Sequence, residues 1–296
     1  MATIYLGTSD FAAGVLERLA RSRHRPSLVV TRPDRPRGRG RRLASPPVAD
    51  AARALKIHVI QPESVNGADA RRRIAEERPE AVCVCAFGGL VKEPLLSEHE
   101  LLNVHPSLLP RWRGAAPVER AIMAGDDETG VSIMRLTEGL DAGSVCLQRA
   151  VPISQDDTYG SLTSRLQEMS GELLVEALSG PRRFVEQDEA RATYAEKIGP
   201  EDRVLDPARH APDLERVVRA LTPHIGARAE MPGGMVIGVC EAVARAQGPP
   251  EGELVAHDER LLLGCASGTL ELRVVQPPGG RPMAAADFLR GNPLAG

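Results

Sequence analysis

The run AVCVCAF (81–87) is apolar throughout, as expected for a strand that is buried on both faces in the middle of a parallel sheet. Three shorter apolar strands are predicted before it, at TIYLGT (3–8), SLVVT (27–31) and IHVI (57–60). Helices are predicted between them, beginning at Ser9 or Asp10, at Pro46-Pro47 and near residue 67. This alternation predicts an α/β fold with a doubly wound, Rossmann-like sheet and helices on both of its faces.

The composition limits the class of protein. Of 296 residues, 42% are hydrophobic and 26% are charged, a balance that excludes general disorder. Aromatic residues make up 3%, too few for an aromatic platform that stacks on nucleic-acid bases. The sequence has no apolar run of about 18 residues, and MATIYLGTSDF at its start lacks the pattern of a signal peptide. We therefore expect no membrane span and a cytoplasmic location.

The five cysteines are scattered and odd in number, which argues against a secreted disulfide framework. Cys83 and Cys85 are two apart in the central strand, where both would face one side. No histidine has the spacing of a zinc finger. We interpret the two cysteines as structural and expect no metal.

One short segment carries much of the positive charge. Residues 32–42, RPDRPRGRGRR, hold six arginines and one acid, so their net charge is +5 while the rest of the chain sums to −8. The prolines and glycines in this segment disfavour a regular helix. A flexible arginine-rich loop suggests a polyanionic partner such as nucleic acid. The alternative is a solvated charged loop with no partner.

The pattern changes after residue 130. Paired strands are predicted at 130–136 and 144–153, followed by a long helix over about 158–178. Residues 187–202 are polar and poorly periodic, and we interpret them as a linker. The domains predicted are 1–186 and 203–296. The second should hold one helix at about 212–221 and several short strands, as in a small barrel or sandwich.

Asn103 and His105 alternate with Val104 in a short strand that Pro106 ends, so their side chains should point to one face. Asp141 lies in the turn EGLDAGSV, and aspartate in a turn is ordinarily turn chemistry. If this turn folds back over His105, the carboxylate can orient the imidazole and favour its protonated form. An amide, an imidazole and a carboxylate would then form a set for acyl transfer to or from an amine.

Two other chemistries lack their motifs. Without a G-x-S-x-G elbow, a covalent acyl-enzyme is not favoured. Gly7 is followed by Thr8-Ser9-Asp10 instead of the G-x-G-x-x-G pattern, so the sheet does not imply a dinucleotide.

NVHPSLLPRWRGAAP (103–117), followed by TEGLDAGSV (137–145), resembles the signature of the 10-formyltetrahydrofolate-dependent formyltransferases. The basic segment, TYAEKI (193–198) and ADFLRG (286–291) are similar to the branch of this family that acts on tRNA. The resemblance covers nearly the whole chain. It implies a catalytic amino-terminal domain and a smaller carboxyl-terminal OB-like β-barrel domain that helps to bind tRNA.

The resemblance also implies roles for individual residues. Catalysis would depend on Asn103, His105 and Asp141. The residues implied in binding 10-formyltetrahydrofolate, the formyl donor, are Ala86, Phe87, Gly88, Gly89, Leu90, Ser107, Leu108, Leu109 and Pro110. The residues implied in binding initiator methionyl-tRNA are Arg35, Arg37, Arg39, Arg41 and Arg42. No metal is implied, and we expect a monomer.

The resemblance implies a mechanism in which the α-amine attacks the formyl carbon. Asn103 and protonated His105 would stabilise the resulting oxyanion while Asp141 holds the imidazolium. Water or His105 would relay the proton, and the sequence leaves that choice open. Phe87 and His224 depart from the family pattern, which more usually has a tyrosine at the first position and often has an aromatic residue at the second.

Three other functions fit parts of the sequence. The first is formylation of a nucleotide sugar or of glycinamide ribonucleotide, against which the arginine segment and the carboxyl-terminal domain argue. The second is a tRNA-binding module with an inactive catalytic domain, against which the presence of Asn103, His105 and Asp141 argues. The third is an NAD-dependent enzyme, which lacks its glycine motif.

Overall fold

A computed structural model describes residues 2–37 and 42–294 of the protein. The chain forms two compact units. The first comprises Met1–Gly114, Thr129–Val151 and Thr163–Tyr194, and the second comprises Ala115–Glu128, Pro152–Leu162 and Ala195–Gly296.

The first unit is built around a mostly parallel sheet. Its strands and helices are β1 (Thr3–Gly7), α1 (Asp10–Ala20), β2 (Pro26–Val30), β3 (Arg35–Arg37), β4 (Arg42–Ala44), α2 (Pro47–Ala54), β5 (His58–Ile60), α3 (Ala68–Glu76), β6 (Ala81–Cys85), α4 (Leu95–Glu98), β7 (Leu101–His105) and β8 (Arg113–Gly114). After α5 (Pro117–Ala124), which belongs to the second unit, come β9 (Glu128–Arg135), β10 (Val145–Pro152) and α6 (Tyr159–Ser179).

The seven strands of this sheet lie in the order β10-β9-β7-β6-β1-β2-β5. The pairs from β5 to β7 are parallel, and β9 joins β7 antiparallel. From β1 the chain builds outward first through β2 and β5 and then in the other direction through β6 and β7. This reversal confirms the predicted α/β fold, in which ligands bind beyond the carboxyl ends of the strands.

Local sequence explains why these elements form. Ser9 caps α1, because its hydroxyl oxygen accepts a hydrogen bond from the Ala12 amide. Pro47 begins α2, where its missing N–H costs nothing. All five residues of β6 and of β7 are buried, as their position inside the sheet requires.

The arginine segment has more regular structure than its composition suggested. It contains no helix in its described part, but β3 and β4 pair antiparallel, with Arg35 opposite Ala44 and Arg37 opposite Arg42. The prediction of an irregular loop was therefore wrong at both flanks. Short strands tolerate proline when they have no further neighbour, because the missing N–H then breaks no ladder. Residues 38–41 lie outside the described part of the chain.

The second unit contains an antiparallel sheet. Besides α5, its elements are α7 (Ala211–Leu221), β12 (Ala227–Glu230), β13 (Val236–Arg245), β14 (Leu254–His257), β15 (Arg260–Gly264), β16 (Thr269–Gln276), β17 (Met283–Ala284) and α8 (Ala285–Gly291). Five strands lie in the order β12-β13-β16-β15-β14, and β17 also pairs with β16. Apolar residues of α7, α8 and the sheet form one buried core. The predicted helix and short strands are confirmed.

The polar segment 187–202 carries regular structure as well. It includes a 3-10 helix at Glu189–Arg191, β11 (Tyr194–Ala195) and the start of a second 3-10 helix at Glu201–Arg203. Its sequence shows no helical or strand periodicity because tertiary hydrogen bonds, not an apolar face, fix its conformation. Among the described residues, no helix is both long enough and apolar enough to cross a bilayer.

Candidate active site

Asn103 and His105 lie on the same face of β7, as predicted from their spacing. His105 is the last residue of the strand, and Pro106 follows it. Both side chains are buried, with Asn103 8% and His105 4% exposed. A buried amide and imidazole side by side must find polar partners, because unpaired polar groups in a protein interior cost free energy.

Asp141 is a polar group that lies near both side chains. The turn after β9 doubles back, so that one carboxylate oxygen of Asp141 lies 3.5 Å from Nδ1 of His105 and the other lies 3.5 Å from Nδ2 of Asn103. The backbone N–H of Gly114 also donates to this carboxylate, at 2.9 Å. The amide, the imidazole and the carboxylate therefore meet at one point of the first unit.

Glycine allows this turn to close. A Cβ added to Gly143 would lie 1.9 Å from the carbonyl oxygen of Arg135, a distance that no side chain tolerates. The glycine of the sequence Asp-Ala-Gly is therefore required by the backbone path of this turn. Gly143 lets the chain pass close to the end of β9, and this path carries Asp141 over β7.

The second nitrogen of His105 also has a partner. Nε2 lies 2.8 Å from the carbonyl oxygen of Trp112, which can only accept a hydrogen bond. The ring thus has an acceptor at each nitrogen, a carbonyl at Nε2 and a carboxylate at Nδ1.

Both residues that contact the ring nitrogens of His105 have a left-handed backbone. Within the described part of the chain, seven residues other than glycine have a positive φ. Three of them are Ala86 (41°), Trp112 (61°) and Asp141 (46°). Such conformations cost about 1–3 kcal/mol each and tend to cluster at functional sites. Trp112 and Asp141 are the two residues that meet the ring nitrogens of His105.

The loop after β6 is held by side chains from other elements. Thr8 donates a hydrogen bond to the Phe87 carbonyl, and Arg32 donates to the Gly88 carbonyl at 3.0 Å. Asn66 donates to the Leu90 carbonyl at 2.8 Å. Sequence analysis predicted a role for residues 86–90 but missed the three side chains that fix them, because these are 24 to 79 positions away.

The members of this loop differ in exposure. Phe87 is 6% exposed and belongs to the apolar core, whereas Ala86, Gly88 and Leu90 are exposed. Leu90 is 68% exposed. The loop therefore presents an apolar side chain and backbone next to the end of β7, the neighbour of β6.

Residues 107–110 leave β7 directly and are tightly bonded. The Ser132 hydroxyl donates to the Ser107 carbonyl at 2.6 Å and accepts from the Leu109 amide at 3.1 Å. Gln148 donates to the Leu109 carbonyl at 2.7 Å. Leu108 and Pro110 are partly exposed. These hydrogen bonds fix the backbone of residues 107–110 next to His105.

Three of the five arginines predicted to bind tRNA lie in the paired strands β3 and β4, namely Arg35, Arg37 and Arg42. Arg35 is exposed and lies 3.7 Å from Glu63. Arg37 and Arg42 pair through their backbones. Arg39 and Arg41 lie outside the described residues. The predicted RNA-binding set is therefore described only in part.

The thiols of the central strand have no catalytic chemistry. Burial raises the pKa of Cys83 and of Cys85 to about 12, so both stay protonated at neutral pH. Among residues 2–37 and 42–294, no group of three or more His, Cys, Asp or Glu side chains is arranged to hold a metal ion.

Residues 1–178 match the family model described as formyl transferase, and residues 197–293 match the one described as formyl transferase, C-terminal domain. The methionyl-tRNA formyltransferase of Methylococcus capsulatus is 41% identical over 303 residues, which cover 100% of this chain and 98% of that protein.

Two solved structures share the fold. The methionyl-tRNA formyltransferase from Clostridium thermocellum has a TM-score of 0.61 and 14% identity over 82% of this chain and 93% of its own. The N-formyltransferase from Helicobacter canadensis, in complex with folinic acid and dTDP-3-aminofucose, has a TM-score of 0.66 and 16% identity, covering 93% of this chain and 98% of its own. At these identities the likeness concerns the fold alone.

Proposed function

Because this chain belongs to the formyl transferase family, we propose that it transfers the formyl group of 10-formyltetrahydrofolate to the α-amine of initiator methionyl-tRNA. The observation that carries the proposal is the 41% identity, along the whole chain, to a methionyl-tRNA formyltransferase. The structural likeness to an N-formyltransferase bound to a nucleotide sugar is at 16% identity and does not favour a sugar substrate.

The reaction exchanges one C–N bond for another. The neutral amine attacks the formyl carbon, and the carbonyl oxygen becomes an oxyanion in a tetrahedral intermediate. The C–N10 bond then breaks, N10 takes up one proton, and the attacking nitrogen loses one, so no proton is gained or lost overall. The transition state therefore requires donors for the oxyanion and a path for the proton.

We assign the donors to Asn103 and His105. The Asn103 amide is 3.5 Å from its neighbour, Asp141, a contact too long for a strong hydrogen bond, which leaves its N–H groups able to meet a developing negative charge. The Nε2–H of His105 donates to Trp112, and the oxyanion would share or replace that acceptor. Asp141 would hold the imidazolium from its opposite side.

The donor substrate would lie between two loops at the carboxyl end of β6 and β7. The proposed contacts are Ala86 to Leu90, through backbone groups, and Ser107 to Pro110. The fixed carbonyls and the exposed apolar side chain of Leu90 fit a flat ring with polar edges. The aromatic ring of the folate would pack against Leu90, and backbone groups of residues 86–90 would form hydrogen bonds with the edge of that ring.

We propose that tRNA is bound by Arg35, Arg37, Arg39, Arg41 and Arg42, and by the carboxyl-terminal domain. Arginine suits phosphate recognition because its planar fork forms paired hydrogen bonds. We retain the division into domains 1–186 and 203–296 joined by 187–202, and propose an OB-like barrel for the second domain, in keeping with its sheet of short antiparallel strands. We expect a monomer that acts in the cytoplasm.

The test is transfer of labelled formyl from 10-formyltetrahydrofolate to three amines, namely initiator methionyl-tRNA, a nucleotide amino sugar and glycinamide ribonucleotide. We expect transfer to the tRNA with a kcat/KM that exceeds the others by orders of magnitude. Equal or better transfer to a small amine would refute the tRNA assignment, and no transfer to any would refute the proposed chemistry.

A further inference from the structure

Arg113 is a buried arginine one residue from Trp112, and it is 2% exposed. Its two terminal nitrogens donate to the two carboxylate oxygens of Glu189, at 2.7 and 2.9 Å. This paired bond raises the pKa of Arg113 and lowers the pKa of Glu189, so both stay charged at neutral pH. A buried charge is tolerated only when it is paired in this way, and Glu189 comes from the segment 187–202.

The third nitrogen of the Arg113 guanidinium connects the ion pair with Glu189 to the active site. Nε of Arg113 donates to the side-chain oxygen of Gln187 at 3.0 Å. Nε2 of Gln187 then donates to two backbone carbonyls, those of Asp141 and Gly143, each at 2.7 Å. Because Arg113 donates to the side-chain oxygen of Gln187, the NH2 group of the same amide faces the Asp141 turn and donates to it.

The same segment also holds the other partner of His105. The Thr193 hydroxyl accepts from the Trp112 amide at 2.9 Å, and the Thr193 carbonyl accepts from the Arg113 amide at 2.9 Å. Trp112 and Asp141, which meet the two ring nitrogens of His105, both have a left-handed backbone. Residues 187–193 thus bond to both strained residues and offset their conformational cost.

We propose that Gln187 is a positioning residue of the active site, which, fixed by Arg113 and Glu189, holds the Asp141 turn against Nδ1 of His105. The expected effect on kcat rests on the proposed function, because it requires that the protein transfers a formyl group. Gln187 does not touch the reacting atoms, because its donors are both used by carbonyls of the turn. It acts through Asp141, and the segment interpreted as a linker therefore forms part of the active-site architecture.

Gln187→Met tests this, because methionine has a similar length but can neither donate to the two carbonyls nor accept from Arg113. The matched control is Glu186→Met, which introduces the same side chain at the exposed neighbouring position. We expect kcat for formyl transfer to fall by on the order of 10²-fold in Gln187→Met, since small misplacements cost about this much. KM for both substrates and every property of the control should stay close to wild type, whereas the melting temperature of Gln187→Met should fall by a few degrees because Arg113 Nε and two carbonyls lose their partner.

A second measurement does not depend on turnover. The ¹⁵N chemical shifts of the His105 ring nitrogens, measured in labelled protein, should move in Gln187→Met in the direction that they move in Asp141→Asn, and should not move in Glu186→Met. If wild type transferred no formyl group, the proposed function would fail while these shifts still decided the positioning role. Unchanged ring shifts, or a loss in Gln187→Met that appears only as a lower melting temperature, would overturn the inference.

Discussion

Replacing Asp141 by asparagine removes the charge next to His105 while keeping the shape of the side chain. If the ring of His105 carries its positive charge in the transition state, that charge lies 3.5 Å from the Asp141 carboxylate and interacts with it by about 5 kcal/mol at an effective dielectric constant of about 20. Asp141 is 15% exposed, and asparagine retains an oxygen that can accept from the Gly114 amide, so only part of this energy is lost. We expect the barrier to rise by about 3 kcal/mol, which lowers kcat on the order of 10²-fold.

The assay is a single-turnover transfer of labelled formyl to methionyl-tRNA, with tRNA binding measured separately by filter retention. The control is Glu138→Gln, which removes the same charge from an exposed position in the same turn. We expect tRNA binding to be unchanged in both variants and turnover to fall only in Asp141→Asn. A rate within a few-fold of wild type for Asp141→Asn, or an equal loss in the control, would refute the role assigned to the carboxylate.

Two further predictions concern other parts of the chain. Arg39→Ala should raise the KM for tRNA and reduce the salt-dependence slope of its binding by about one, with the KM for folate unchanged, whereas Arg72→Ala on α3 should change neither. The Arg120 guanidinium holds the pKa of Asp202 below its ordinary value, so the pair stabilises the fold above the unfolded pKa and this stability is lost as pH falls through the folded pKa. Asp202→Asn should therefore cost about 1.5 kcal/mol of unfolding free energy at pH 7 and progressively less as the pH falls below about 3.9, the ordinary pKa of aspartate, whereas Glu201→Gln in the same urea titrations should show no such pH-dependent difference.

Much of the site follows from local sequence. Asn103 and His105 share a face because the side chains of a strand alternate, and Pro106 marks the end of that strand. Asp141 became a candidate only through the resemblance or through the assumption that its turn folds back. The structure brings its carboxylate to both residues, and Gly143 explains how the turn achieves this.

No local sequence pattern identified Gln187 as a residue of the active site. It lies in a polar stretch without periodicity, 46 positions from the carbonyl that it holds. Arg113 stood within the recognised motif, but its burial and its bond to Glu189 depend on a segment that returns from far along the chain. A pattern of neighbouring residues cannot reveal such partners.

The sequence by itself determines the order of the longer strands and helices, because hydrophobic periodicity, helix caps and prolines act over only a few residues. The same holds for the two polar side chains at the end of β7. The tertiary structure alone decides which groups meet the two nitrogens of His105, since a carbonyl, a carboxylate and the amide behind it are brought together by chain reversals. Hydrogen bonds between distant segments depend on the path of the folded backbone, which no short stretch of residues specifies.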